Sequence, residues 1–223
     1  MTGEPSDDMP WGEAQWERFL RRSEVRSARF GELLETLMDH PDCEAILHRE
    51  MGWGRIGEGD DDDNNDDVDG ADRDEPEYPD DPPMDEVASS RSEGRRDVAD
   101  LPECARMLDW SARLHDALNV VDARQSDDLV ELFAEVIVAS MTVGAKIAAG
   151  HGMGYDDEVL CGNIVCCRLS LDAARRCERA MHEIRQRRPE LDEALMTLID
   201  EGRQLQALIE QRIADLRSRV WWE

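Results

Sequence analysis

Few residues of this chain are spaced for chemistry, and those few bound what it could do. Glu44 and His48 stand four residues apart, one helical turn, so an oxygen and a ring nitrogen could meet a single metal ion. The same spacing also suits a surface ion pair or a helix cap. His115, Asn163 and Ser170, with Ser140, fall on or beside apolar stripes. Buried polar groups need partners, so these side chains imply an internal network. Such a network either holds helix register or lines a pocket for a small ligand or a proton transfer. One histidine without an inward carboxylate lacks the second group of an acid–base pair. No catalytic residue is assigned, and no cofactor.

The six cysteines, Cys43, Cys104, Cys161, Cys166, Cys167 and Cys177, contain no Cys-x-x-Cys pair. Cys161 and Cys166 would lie about 140° apart on a helix, so one helix face cannot offer both to a metal. Cys104, Cys167 and Cys177 sit on core stripes, where cysteine acts as a small hydrophobe. Cys104 and Cys161 open helices that point the same way, which leaves a small redox or zinc possibility at one end.

The string Asn65-Asp66-Asp67-Val68-Asp69-Gly70 has the alternating oxygens and glycine of a calcium loop. Its twelfth position is Pro76 rather than a bidentate glutamate, so a solvated acidic linker is the expectation. Glu-x-x-His pairs, which di-metal bundles require, do not occur. Gly150-His-Gly-Met-Gly154 joins two helices with no strand before it, unlike a phosphate loop. No Gly-x-Ser-x-Gly elbow or His-Glu-x-x-His helix is present. The arginine groups Arg21, Arg22, Arg26, Arg29 and Arg185, Arg187, Arg188 are expected to pair with the chain's own carboxylates.

The formal charge of −27 is concentrated: 16 of the 29 residues at 58–86 are acidic against one arginine. Such a charge repels phosphate backbones and anionic bilayers, so neither nucleic acid nor membrane is an expected partner. The start, Met-Thr-Gly-Glu-Pro-Ser-Asp-Asp, has no basic, apolar leader. The apolar run 136–149 contains Lys146, the only lysine, and is short for a bilayer span. A cytoplasmic protein with reduced cysteines is expected.

Aromatics make up only 5% of the chain, while Ala, Leu, Glu and Arg dominate outside the acidic insert. That composition favours an all-α fold. Three segments are expected. Residues 1–56 form an N-terminal helical arm, with a long helix from about Pro10 to about Met38 and a short one stopping near Gly52. Residues 57–97 form a disordered acidic linker, rich in Asp and Pro and without apolar periodicity. Residues 98–223 form four long helices, whose stripes include Cys104, Leu108, Ser111 and Leu114 in the first. The second is capped by Ser126 and ends at Gly150. Arg188-Pro189 separates the third from the fourth.

Short connections would make sequential helices antiparallel, giving an up-down-up-down four-helix bundle with an additional N-terminal helical pair. The arm's stripe from Trp16 onward is expected to pack on the overhanging long helices, beside Trp221 and Trp222. The second bundle helix is apolar nearly all round over 136–149, so a further helix or a second copy should cover it. These features favour a non-enzymatic helical protein–protein interaction module, with a protein partner or homo-oligomer. A small-ligand- or metal-binding bundle, enzymatic or not, is the first alternative. An acidic shield or chaperone for a basic partner, working through 58–86, is the second.

Overall fold

The computed structural model describes residues 9–53, 98, 101–119 and 127–222. The acidic segment 57–97 (Val98 apart), its calcium-like string and the cap residue Ser126 lie outside the described residues. All regular structure among the described residues is helical. The helices are α1 (Glu13–Leu37), α2 (Cys43–Glu50), α3 (Pro102–Asn119), α4 (Asp127–Met153), α5 (Asp157–Arg187) and α6 (Asp192–Arg217).

Contacts divide the described chain within α1 rather than near residue 56. One unit holds the described residues up to Arg18 with α3–α6; the other runs from Phe19 through α2. In the second unit, the α2 end satisfies its carbonyls in a Schellman pattern: Trp53 N–H bonds the His48 carbonyl and Gly52 N–H that of Arg49. Gly52 holds φ +64°, a value that side chains resist. Leu47 and Met51 are buried, and Phe30 and Trp53 pack with ring centroids 5.5 Å apart.

α1 begins at Glu13 with Gly12 as its cap, rather than at Pro10. The Gly12 carbonyl accepts from Gln15 and Trp16, and Gln15 Oε1 accepts the Gly12 N–H at 3.0 Å. This is the returning half of a capping box.

In the bundle unit α3 packs on α4 and α6, α4 on α5, and α5 on α6, so the four helices close a ring. Hydrogen bonds record the directions. Across α5 and α6, Arg185 meets Asp192, Glu178 meets Arg203 and Gln206, and Arg175 meets Glu210. One number rises as the other falls, so these helices are antiparallel. Across α4 and α5, Val136 pairs with Cys177, Val143 with Ser170 and Gly150 with Asn163. The steps are seven residues on both helices, again antiparallel, with a repeat of about two turns.

That pairing corrects the expected end of α4. A Cβ on Gly150 would lie 2.8 Å from Asn163 Oδ1 and 3.0 Å from Cys166 Cβ. Gly150 is therefore where α5 comes closest, not a terminator. The helix continues to Met153 and ends at Gly154, with φ +114°.

The helix covered on all sides is α5, not α4. Every residue from 159 to 167 is buried. Trp16, 4% exposed, lies against Gly162, where a Cβ would meet its ring at 2.9 Å. Glu13 fastens the same segment, accepting from Arg217 Nε at 2.6 Å and Arg168 Nη1 at 3.0 Å. Burying a tryptophan removes on the order of 200 Å² from water, roughly 5 kcal/mol before ordering entropy. Of the arm's stripe only its first turn belongs to the bundle unit. Trp222 packs on the bundle's own core and Trp221 Nε1 donates to Asp157 Oδ2 at 3.0 Å.

Candidate functional site

The polar interior is built along α5. Asn163 Nδ2 donates to the Gly154 carbonyl at 2.9 Å, and Ser170 Oγ to the Val143 carbonyl at 2.8 Å. Cys177 Sγ stands 3.7 Å from the Val136 carbonyl in the same role. Asn163, Ser170 and Cys177 are spaced by seven, so they form one line facing α4. A side chain short enough to reach a neighbouring backbone carbonyl keeps two helices close. Ser111 and Ser140 join α3 to α4 through their hydroxyls at 3.1 Å.

Of the sequence candidates, Asn163 and Ser170 are buried in this line, whereas His115 is exposed and bonds its neighbour Asn119. His115 sits one position beyond Leu114 on the helix, outside the turn of the wheel that faces the core. The histidine that does reach the interior is His151, 6% exposed. Its Nδ1 lies 2.6 Å from the Tyr155 hydroxyl, which accepts from Arg212 at 2.7 Å. The Tyr155 hydroxyl thus bridges the Arg212 guanidinium and the His151 imidazole. This node joins the α4–α5 turn to α6.

Three of the buried thiols are held toward their protonated form. Burial pushes Cys177 up to about 12, helped by nearby Glu135 and Glu178. Burial likewise raises Cys104 and Cys167, against the opposing pull of Arg212. A thiol held protonated is a poor nucleophile and metal ligand. Glu44 and His48 are both exposed, and His48 meets the Trp53 ring edge-on at 5.4 Å. Among the described residues no three His, Cys, Asp or Glu side chains gather to hold a metal.

An open groove of about 550 Å³ between α5 and α6 carries Arg168, Arg175 and Arg217. Each is already engaged: Arg168 and Arg217 by Glu13, and Arg175 by Glu210. The expected pairing of arginines with the chain's own carboxylates also holds at Arg185 with Asp192, Arg187 with Glu183 and Arg188 with Glu190.

The outward face of α4 is different in kind. Val130, Ala134, Val138, Met141, Ala145 and Ala149 are all exposed, with Val138 at 58% and Met141 at 64%. They lie within one arc of the helix. No charged residue falls between Glu135 and Lys146. Thr142 returns its hydroxyl to the Val138 carbonyl at 2.7 Å, so it leaves no polar demand on that side. On α3, Leu108 is 68% exposed. The sequence stripe placed Leu108 inside. The core position belongs instead to Trp110, 1% exposed, whose Nε1 donates to the Leu198 carbonyl at 2.8 Å. Gly202 leaves room for its ring, since a Cβ there would stand 3.0 Å from Trp110.

By length and composition alone, Leu129–Met153 is also apolar enough to cross a membrane, with 33% of its most apolar window buried in the fold. It is longer than the run 136–149 suggested. Comparison with known protein families, curated proteins and solved structures finds no match to this chain.

Proposed function

We propose that this protein is a non-enzymatic helical protein–protein interaction module that engages a protein partner through the outward face of α4. The observation that supports this is the charge-free exposed arc of α4 with Val138 and Met141 at its centre. Contiguous exposed apolar surface costs solubility and is retained where a partner covers it. Anchors of this kind, apolar side chains at the middle of a polar-rimmed patch, carry most of the energy at protein interfaces.

Two features favour a protein over a bilayer. Glu131, Glu135 and Lys146 rim the arc, and the net charge of −27 opposes anionic headgroups. The inner half of α4 supplies the carbonyls that Ser170 and Cys177 use, so a spanning α4 would strip α5 of those bonds. A ligand-binding bundle is less well supported, because Asn163, Ser170 and Cys177 spend their donors on backbone carbonyls rather than aiming them into a cavity. An acidic shield would act through 58–86, outside the described residues.

A photo-crosslinking phenylalanine replacing Met141 tests the reading in living cells. One defined protein should be captured at Met141 and not at the exposed control Glu193. Equal, diffuse labelling at both positions would remove the basis for the proposal.

A further inference from the structure

We infer that the occupant of this face is a second copy of the chain, with α4 packed antiparallel on α4 about a two-fold axis. The inference rests on the interaction reading above and names its partner. The exposed stripe runs 130, 134, 138, 141, 145, 149, at intervals of four, four, three, four and four. The order of intervals is the same from either end. Reversing one helix against the other therefore sets Val130 on Ala149 of the partner subunit, Ala134 on Ala145 of the partner subunit, and Val138 on Met141 of the partner subunit. Every exposed apolar residue of the stripe gains an apolar partner, and none is left over. The alanines toward the ends let the two backbones approach closely, as the α4–α5 pair already does at Gly150.

The charges obey the same symmetry. Glu135 and Lys146 are eleven residues apart, nearly three whole turns, so they share one flank of α4. A two-fold axis perpendicular to the helix pair keeps that flank on the same side in both copies. Lys146 then falls opposite position 133 of the partner subunit, midway between its Glu131 and Glu135. The chain's single lysine thus reaches two carboxylates, twice per dimer. Parallel pairing in register would instead turn the two flanks to opposite sides of the seam, leaving Lys146 no carboxylate across from it. An isologous contact of this kind closes on itself and forms no filament. A lipid surface offers nothing in register for Lys146 and would place both glutamates at the headgroups.

Sedimentation of the full-length chain over a wide concentration range, at physiological salt, tests the pairing. A monomer–dimer equilibrium is expected, weakened at least about tenfold by Met141→Glu. Because that variant introduces a buried charge, two further arms keep the result independent of its folding. Lys146→Glu should weaken the dimer, and adding Glu131→Lys in the same chain should restore it. Glu131 is chosen because Glu135 also holds Arg176 at 3.4 Å. In a Cys43→Ser background, mild oxidation should link a mixture of Ala134→Cys and Ala145→Cys chains, but neither variant to itself. Self-linking of each variant alone would overturn the antiparallel register.

A monomer at every concentration overturns the inference. If such a monomer is still captured at Met141 by a different protein, the interaction reading stands without the second copy. If it is captured by nothing and floats with zwitterionic vesicles, both fail.

Discussion

Gly144 and Gly150 lie six residues apart on one helix, and the same methyl group should act on them with opposite sign. Nothing stands within 4 Å of a Cβ built on Gly144, so Gly144→Ala only removes the entropy that glycine loses in a helix. A gain of about 0.5–1 kcal/mol is expected in urea denaturation. At Gly150 the methyl would press on Asn163 Oδ1 and Cys166, both buried, and Asn163 is tied to the Gly154 carbonyl. Gly150→Ala should therefore cost about 1–3 kcal/mol in the same assay. Equal effects at the two sites would contradict the close approach of α4 and α5. At this scale the sequence was partly legible. Asn163 and Ser170 stood out as polar residues on an apolar stripe, and both are interior. His115 was misplaced because it borders the stripe by one position, and a helical wheel resolves no finer than that. His151 was hidden inside a glycine-rich run that looked like a loop, and only the tight pairing at Gly150 keeps that run helical.

Among the elements, the start of α1 depends on one carboxylate. Burial alone would raise the Glu13 carboxyl, but the hydrogen bonds and charges of Arg217 and Arg168 outweigh it and hold the group below the ordinary glutamate range. A lowered folded-state value stabilises the protein above the unfolded value, and that stabilisation is lost as pH falls through the lowered one. Glu13→Gln should thus cost about 1–2 kcal/mol at neutral pH, and the gap to wild type should close below about pH 4. A gap independent of pH would mean that the arginines do not hold Glu13. The helices themselves were readable from apolar spacing, and the break at Arg188-Pro189 from proline. The partner of each helix was harder to see. Periodicity says that α4 is apolar all round, but not that Trp16 would cover α5 instead. That choice depends on Gly162, a small residue whose importance appears only once a ring lies on it.

For the molecule as a whole, charge is the leading variable. With a net −27, like charges repel across the chain, and the compact state feels this more than the extended one. Adding salt from low ionic strength should raise the thermal midpoint, because screening within about 10 Å weakens the net repulsion more than the paired arginine contacts. A falling midpoint would indicate that the ion pairs outweigh the excess. The all-helical class followed from composition, whereas the exposed face of α4 could not be read from it. Exposure is a property of what the other helices leave uncovered.

The line of Asn163, Ser170 and Cys177 also limits how such a chain could change in length. Each member meets α4 after two turns, at Gly150, Val143 and Val136, so the hairpin of α4 and α5 behaves as a rack with teeth every seven residues. Removing or inserting seven residues on both helices together would bring the teeth back into mesh. An insertion far from a whole number of turns would turn a hydroxyl, a thiol or an amide onto an apolar neighbour, so this hairpin can grow or shorten only by steps close to whole turns on both helices, such as seven or eleven residues.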